Sequence, residues 1–242
     1  PQTIAVRRGQ GKRQREDGRF DDADHLASVV ERLLTAGGTG SPGGSIVTER
    51  GVMLNGRRGR ISALLPPLSP AISVQIRLHP PQPVTLEALA ERGALPAEAV
   101  TLLDAIARSG HGLLIAGEPG AGKTTLAGAI AARLPLDASA IAVERAAELP
   151  LPDRFARETA SDERPFADAL RAALDQRPAW LVVDEVRGDE VAAVWNALAG
   201  PSAPRLICVW RGATDPDRLR SALNIAIRQE QPALPQAAID TA

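Results

Sequence analysis

The stretch from Gly112 to Leu134 reads GLLIAGEPGAGKTTLAGAIAARL, and it decides the fold class of the chain. Its first part, Leu113 to Ala116, is a short apolar run that predicts a buried strand. A glycine-rich turn follows, and the alanine- and leucine-rich remainder predicts a helix. A strand, a glycine-rich turn and a helix in this order are the elements of a phosphate-binding loop. A chance glycine turn between a strand and a helix is the alternative.

The turn fits the pattern G-x-x-x-x-G-K-[ST], with Gly117, Gly122, Lys123 and Thr124 at its fixed positions. Glycines let backbone N–H groups curl round a phosphate, and the positive end of the following helix faces the anion. Lys123 supplies a cation for the β- and γ-phosphates, and the Thr124 hydroxyl is a ligand for Mg²⁺. The chain has 26 arginines and only two lysines, and Lys123 is one of the two. A lysine at this position is significant because its ammonium is a compact point charge. The predicted nucleotide-binding residues are Gly117, Glu118, Pro119, Gly120, Ala121, Gly122, Lys123, Thr124 and Thr125.

The composition of the 242 residues is that of a globular protein, with 44% hydrophobic and 24% charged residues. A net charge of −1, three Phe, three Trp and no Tyr argue against a dedicated nucleic-acid binder that stacks bases on aromatic side chains. The single cysteine, Cys208, excludes an internal disulfide and is most compatible with a reducing cytosol. No apolar stretch approaches the ~20 residues of a membrane-spanning helix.

The first 79 residues are predicted to form a small α/β domain. Residues 1–20 are mostly basic, and a solvated, partly frayed arm is favoured there over a phosphate- or lipid-binding patch. Apolar residues at helical spacing predict a helix over 24–35, and a glycine-rich loop follows at 37–44. Asn55-Gly56 predicts a hairpin turn within a set of short strands at 45–49, 52–55, 60–65 and 72–78.

A proline-rich linker, 80–84, leads into a second domain that is predicted to span 85–242. Thr85 is expected to cap a helix through Leu86 and Ala90, and a second helix is expected over 96–108 with Gly110 as its stop. Strands and helices then alternate. The strands are predicted at 113–116, 140–144, 180–186 and 205–210, and the helices at 123–134, 165–176, 189–199 and 216–229. This alternation predicts a mainly parallel sheet with helices on both faces.

The strand predicted at 180–186, WLVVDEV, ends in two carboxylates, Asp184 and Glu185. In a phosphate-loop protein, such a strand places one carboxylate on Mg²⁺ and a neighbouring glutamate on the attacking water. An apolar strand that simply ends in two solvated acids is the alternative. The position of the run, as the third strand from the loop, favours the functional interpretation.

Four blocks of sequence, in the same order, resemble the type II/type IV secretion ATPases. Residues 177–188, RPAWLVVDEVRG, resemble the family segment R-P-D-x-I-x-x-G-E-x-R-G, and residues 143–149, VERAAEL, resemble its I-E-D-x-x-E-L box. Residues 59–77 resemble the run G-x-R-[VI]…L-P-P…I-R-K, and residues 86–93 resemble T-L-E-x-L…G. The likeness covers roughly residues 20–235 and is nearest to the tight-adherence (Flp) pilus and archaeal branch.

The resemblance implies a P-loop NTPase (RecA-like) fold and an ATPase that uses ATP and Mg²⁺. Glu185 resembles the family's catalytic glutamate, with Asp184 in the place of a glycine, and Glu144 and Glu148 resemble acids that help to place Mg²⁺ and water. Arg77 and Arg60 resemble first-domain arginines that close over the γ-phosphate, with a surface salt bridge as the alternative for each. The implied catalytic residues are Glu185, Lys123, Glu144 and Arg77, and the implied metal ligands are Thr124, Asp184 and Glu148.

The resemblance also implies an assembly and a location. We expect a homo-oligomeric ring, a hexamer in this family, with ATP at the interfaces between subunits. Its partner would be an inner-membrane platform protein of a secretion or pilus-assembly machine, so the chain would be cytoplasmic and peripheral to the membrane through that partner. No direct contact with nucleic acid is expected. Family members usually continue into further strands of the sheet, so the second domain is expected to be truncated at its C-terminal end, Ala242.

Two departures from the family pattern leave the function open. Arg145 stands where the family has an aspartate, and Trp210 stands where it has the histidine of its "His box". The leading hypothesis is an ATP-hydrolysing motor, and the first alternative is a degenerate nucleotide-binding scaffold or regulator with little turnover. A DNA-translocating, conjugation-type ATPase is the second alternative. His111, just before the first strand of the sheet, is expected to be a cap or a nucleotide-edge residue.

Overall fold

The structure is a computed structural model, and it describes residues 3–7, 12–36, 48–80, 82–161, 164–187, 190–198, 203–212, 214–233 and 235. The chain divides into two compact units, Pro1–Leu78 and His79–Ala242. The glycine-rich loop predicted at 37–44 lies outside the described residues, as do the first three residues of the strand predicted at 45–49. None of the described helices is both long and apolar enough to cross a bilayer.

In the described part of the first unit, one helix packs on a three-stranded antiparallel sheet. Helix α1 spans Ala23–Ala36, and the sheet has the order β3-β4-β5, with β3 at Thr48–Leu54, β4 at Arg57–Leu64 and β5 at Ser73–Leu78. Alternate residues of β4 face the helix because side chains of a strand point to opposite faces in turn. Asn55 and Gly56 both have positive φ, 49° and 72°, as a two-residue hairpin turn requires. The core of this unit comprises Val30, Leu34, Val52, Ile61 and Ala63.

The N-terminal arm differs from the prediction. Strands β1, Thr3–Val6, and β2, Gln14–Arg19, pair in an antiparallel two-stranded sheet where a frayed arm was expected. Every side chain of β2 is exposed, so backbone hydrogen bonds hold this pair without a core of its own. The polar composition of the arm therefore concealed β1 and β2. A further difference is that the two short strands predicted at 45–49 and 52–55 are replaced by one strand, β3.

The second unit is a five-stranded, wholly parallel sheet with the order β6-β10-β9-β7-β8. Its strands are β6 (Leu113–Gly117), β7 (Ala140–Glu144), β8 (Ala156–Thr159), β9 (Trp180–Val186) and β10 (Arg205–Arg211). Its helices are α2 (Leu86–Glu91), α3 (Ala97–Ser109), α4 (Lys123–Ala131), α5 (Phe166–Asp175), α6 (Glu190–Leu198) and α7 (Pro216–Glu230). The α/β fold with a parallel sheet is confirmed, and β8 is the one described strand of this unit that sequence reasoning missed.

Helices cover both faces of this sheet, as the central strand β9 demonstrates. Trp180 and Val182 pack in a core with α2, α3 and α4, whereas Leu181 and Val183 pack in a second core with α5, α6 and α7. A strand buried on both faces must be apolar throughout, which explains the continuous run at 180–183. The carboxyl ends of the parallel strands meet at one edge of the sheet, where the loops that follow β6, β7, β9 and β10 come together.

Helix ends in this unit follow their predicted signals. The Thr85 hydroxyl accepts a hydrogen bond from the Ala88 N–H at 3.1 Å, which confirms it as the N-cap of α2. Gly110 has a left-handed conformation, with φ 80°, and ends α3. Helix α4 is three residues shorter than the predicted 123–134.

Candidate nucleotide-binding site

The loop between β6 and α4 has the backbone that the phosphate-loop pattern predicts. Gly120 and Gly122 both have positive φ, 83° and 92°, and beyond the adjoining residues no atom of the described part of the chain lies within 4 Å of the place where a Cβ would sit on either. The glycines therefore leave open space on the side where a phosphate would approach. Gly122 caps α4 without a side-chain hydrogen bond, so no cap side chain occupies the positive end of this helix. Lys123 Nζ donates to the Glu118 carbonyl at 2.9 Å, folded across its own loop.

Thr124 and Asp184 join the loop to the central strand. Thr124 lies in the first turn of α4, and its Oγ1 donates to Asp184 Oδ1 at 3.3 Å. Asp184 is 9% exposed and lies at the carboxyl end of β9. Two of the three residues assigned to Mg²⁺ by sequence, Thr124 and Asp184, are therefore in contact, 60 residues apart in the chain.

Asp184 lies in an acidic environment. Burial, followed by the negative charges of Glu144 and Glu148, raises the pKa of Asp184 to about 7 from its ordinary 3.8. The hydrogen bond from Thr124 opposes this rise, and the charge of Glu185 adds to it. The carboxylates that sequence reasoning assigned to the metal and to water are thus close enough to repel one another, and a cation would relieve that repulsion.

Glu144 is fully buried at the end of β7, and both of its oxygens have partners. Oε2 accepts from the Leu149 N–H at 2.8 Å, and Oε1 accepts from Arg157 Nη1. Burial raises the pKa of Glu144, and the Arg157 guanidinium opposes that rise. These contacts close the turn 144–149 onto β8. Its assignment to catalysis stays a prediction, and the contacts give it a structural role in addition.

Glu148 pairs with a residue that sequence reasoning did not connect to it. Its Oε1 lies 2.8 Å from His79 Nε2, and both side chains are nearly buried, at 11% and 12% exposure. His79 opens the second unit and has no motif around it, so no signal in the sequence indicated this pair.

Glu185 lies in an irregular part of β9. Its φ is 35°, and the register with β10 shifts between Cys208 and Trp210, which is a β-bulge beside Glu185. A non-glycine residue in this conformation costs about 1–3 kcal/mol, a strain found preferentially at functional sites. The carboxylate is 26% exposed and faces two arginines, Arg187 Nη2 at 3.3 Å and Arg211 Nη1 at 3.7 Å.

Trp210, in the position of the family histidine, carries a buried N–H group. Its Nε1 has no hydrogen-bond partner within the described part of the chain. A Cβ on Gly212 would come within 2.9 Å of this nitrogen, and the Gly212 N–H donates to the Gly117 carbonyl at 3.4 Å. The indole N–H of Trp210 therefore lies beside Gly212, which is hydrogen-bonded to Gly117, the first glycine of the phosphate loop.

The remaining candidates lie away from this site or in the other unit. Arg60 and Arg77 are directly opposite each other on β4 and β5, so their charges share one face of the first unit's sheet. Their role toward a phosphate stays a prediction. His111 contacts Ser109 at 2.7 Å at the amino end of β6, whereas the phosphate loop follows the carboxyl end. The C-cap of α3 is Gly110 and not His111, and the place of His111 at the amino end of β6 does not favour a nucleotide-edge role.

The residues present fit a nucleotide with Mg²⁺. Open glycine backbone, a helix start without a cap side chain, and a lysine beside them suit a polyphosphate. Among the described residues, no three His, Cys, Asp or Glu side chains are placed to hold a metal ion by themselves. Mg²⁺ commonly takes one or two protein ligands and completes its shell with waters and substrate phosphates. Thr124 and Asp184 are a pair of that kind.

The parallel sheet, its loop and its order of strands define a P-loop NTPase-type fold. A family model described as "Type II/IV secretion system protein" matches residues 52–200, more than half of the chain. The chain belongs to the type II/IV secretion system protein family. Its assignment to the tight-adherence branch stays a prediction.

Relatives among known proteins match this chain over different lengths. "Putative conjugal transfer protein Rv3659c" of Mycobacterium tuberculosis (strain ATCC 25618 / H37Rv) is 32% identical over 210 residues, 82% of this chain and 59% of that protein. The chain thus spans less than two thirds of the length of this relative. "Uncharacterized protein MJ1287" of Methanocaldococcus jannaschii is 32% identical over 114 residues, 44% of this chain and 42% of that protein.

Solved structures share the fold. The VirB11 ATPase from the Brucella suis type IV secretion system, in complex with sulphate, matches 99% of this chain and 80% of its own at 23% identity and a TM-score of 0.51. The Legionella pneumophila ATPase DotB matches 93% of this chain and 64% of its own at 20% identity and a TM-score of 0.65. At these identities the likeness shows the fold alone.

Proposed function

We propose that this chain binds ATP with Mg²⁺ in the loop 117–125 and hydrolyses it as the motor subunit of a secretion or pilus-assembly machine. The observation that carries the proposal is the hydrogen bond between Thr124 and Asp184 beneath the open loop. That pair joins the two sequence motifs that a phosphate-loop ATPase needs, and the acidic surroundings of Asp184 favour a cation there. Family membership supports the same function.

Each residue of the site has a defined task in this proposal. Lys123 leaves the Glu118 carbonyl and contacts the β- and γ-phosphates. Thr124 and Asp184 hold Mg²⁺, which when bound neutralises charge on the phosphates. Glu185 orients the attacking water and accepts its proton, and Arg187 and Arg211 hold this carboxylate before nucleotide arrives.

The proposal includes an assembly. We propose a homo-oligomeric ring, a hexamer as in the family, in which Arg77 and Arg60 act on the γ-phosphate at an interface between copies. The register that places Arg60 opposite Arg77 puts both side chains on one face of the first unit's sheet, where they could act on the same phosphate. The ring would act from the cytoplasmic side on an inner-membrane platform protein. Secretion-system membership supports that location.

Two other functions are kept as outcomes of the test. A nucleotide-binding scaffold is favoured by Trp210 in place of the family histidine and by two arginines on Glu185. A DNA-translocating, conjugation-type ATPase is favoured by the name of the mycobacterial relative. The net charge of −1 argues against a DNA-translocating enzyme.

The test is steady-state ATP hydrolysis by the purified chain, with nucleotide binding measured on the same samples. We expect turnover in the wild type and its loss in Glu185→Gln, with binding of Mg²⁺-ATP retained. Tight binding without turnover, both in the wild type and in Trp210→His, would instead identify a scaffold. Stimulation of turnover by single-stranded DNA would identify the conjugation-type enzyme.

A further inference from the structure

Arg145 is a charge reversal beside an acidic site. It directly follows the buried Glu144 at the end of β7 and replaces an acid of the family motif. A guanidinium that pointed at Asp184 would compete with a metal ion for that carboxylate. The Arg145 guanidinium instead contacts Glu185 and Glu190.

The Arg145 guanidinium bridges the end of β9 and the start of α6. Its Nη1 donates to the backbone carbonyl of Glu185 at 3.0 Å, and its Nη2 donates to Glu190 Oε1. Its planar group also lies over the Phe166 ring, with 5.4 Å from Cζ to the centroid. One rigid fork therefore fixes the distance between Glu185 and the first residue of α6.

Glu190 neutralises this arginine and also shapes the segment. Its side chain is 10% exposed, and its second oxygen, Oε2, accepts from the Arg187 N–H at 3.0 Å. The Glu190 N–H in turn donates to the Arg187 carbonyl at 2.8 Å. These two hydrogen bonds tie Glu190 to Arg187 through both its side chain and its backbone.

The carbonyl that Arg145 holds belongs to the residue with the unusual backbone. Glu185 has φ 35° at a β-bulge, a conformation that persists only where its surroundings fix it. The direction of its side chain depends on that backbone, because the bulge re-aims the residue relative to a regular strand.

We propose that Arg145 is a positioning residue for Glu185, which it holds in the left-handed conformation by bridging the Glu185 carbonyl to Glu190. This rests on the proposed function, in which Glu185 orients the attacking water. The positive charge at 145 is then compensated, because Glu190 supplies the opposite charge. The Arg145 guanidinium contacts Glu185 through its backbone carbonyl.

The experiment compares Arg145→Lys with Arg154→Lys in the full chain. Lysine keeps the charge but lacks the planar fork. Arg154 is a matched control, since it also bridges two acceptors, the Leu134 and Pro135 carbonyls at 2.9 and 3.0 Å, and lies over a phenylalanine ring at 4.8 Å. Amide hydrogen exchange at 185–187 is measured without nucleotide, and kcat and KM for ATP are measured separately.

We expect exchange at 185–187 to rise about fivefold or more in Arg145→Lys, and kcat to fall about tenfold with KM changed less than twofold, because misplacing a catalytic group lowers the rate. Arg154→Lys should change neither. Equal exchange in the two variants overturns the proposal, and so does faster exchange with an unchanged kcat. If the wild type has no turnover, the proposed function fails, and the exchange comparison still decides whether Arg145 holds the segment.

A second variant guards against loss of folding in the first. Glu190→Gln keeps one oxygen as the acceptor for the Arg187 N–H and places an uncharged NH2 group opposite Arg145, so both the charge and the acceptor are lost there. We expect a smaller rise in exchange at 185–187 and a smaller fall in kcat, both in the same direction as Arg145→Lys. Wild-type values for both quantities in Glu190→Gln would contradict the bridge.

Discussion

Thr124 donates a hydrogen bond to Asp184, 3.3 Å from Oγ1 to Oδ1, and so ties the first turn of α4 to the carboxyl end of β9. The acceptor is buried among other acids, which raises its pKa to about 7. A carboxylate buried among other acids is unfavourable without a cation, so we expect the charge of Asp184 to lower the stability of the folded protein.

The first prediction concerns this cost. Asp184→Asn keeps an acceptor for Thr124 but removes the charge. In the folded wild type the pKa of Asp184 lies above its ordinary value, so the wild type loses stability relative to the variant as pH rises from about 4 to about 7. Without nucleotide or metal, we expect similar melting temperatures at pH 4.5 and a variant more stable by roughly 5 °C at pH 8.

Scanning calorimetry at the two pH values checks this. Glu185→Gln is the comparison variant, since it removes only the smallest of the charges that raise the pKa of Asp184 and should give a smaller pH-dependent difference. A difference between Asp184→Asn and the wild type that does not change with pH would show that Asp184 is not held in a repulsive environment.

The second prediction concerns the structural role of Glu144. Arg157→Met leaves the buried Glu144 carboxylate without its cation, which should lower the free energy of unfolding by about 3–5 kcal/mol. Adding Glu144→Gln to this variant should recover most of the loss, because the neutral amide still accepts from the Leu149 N–H. Urea denaturation of the single and double variants measures both values, and a double variant no more stable than Arg157→Met would contradict the pairing.

Much of the parallel sheet and the phosphate loop could be predicted, because buried strands and glycine turns have strong local signals. Strands β6, β7, β9 and β10, of 5 to 7 residues, each contain a run of apolar residues. Strand β8, Ala-Arg-Glu-Thr, is exposed or half-buried along its whole length and has no such run. Missing β8 also concealed Arg157, which lies on it and pairs with Glu144.

The site was predictable where one motif defines a role and not where two distant residues meet. The pattern around Lys123 and the acids 184 and 185 could be read directly from the chain. The contacts of His79 with Glu148, and of Arg145 with Glu190, join segments 69 and 45 residues apart, and no local pattern specifies them. The left-handed backbone at Glu185 was likewise hidden, because glutamate does not signal a positive φ.

The third prediction concerns the orphan indole. In Trp210→Phe the buried, unpartnered N–H is removed, so the nucleotide-free protein should unfold within about 1 kcal/mol of the wild type despite the smaller ring. Affinity for Mg²⁺-ATP should fall several-fold, because the donor lies beside Gly212, next to the phosphate loop, and is expected to find its partner when nucleotide binds. Calorimetric titration and urea denaturation measure the two effects, and an unchanged affinity would exclude the indole from the site.

The most direct test of the account is equilibrium binding of Mg²⁺ with a non-hydrolysable ATP analogue, followed by calorimetry. Lys123→Ala removes the ammonium of the phosphate loop, and Lys12→Ala, at the only other lysine, is the matched control. We predict saturable, Mg²⁺-dependent binding to the wild type and to Lys12→Ala, and binding roughly a hundredfold weaker to Lys123→Ala, as the loss of a charged hydrogen bond implies. No binding to the wild type, or equal binding to Lys123→Ala, would contradict the account.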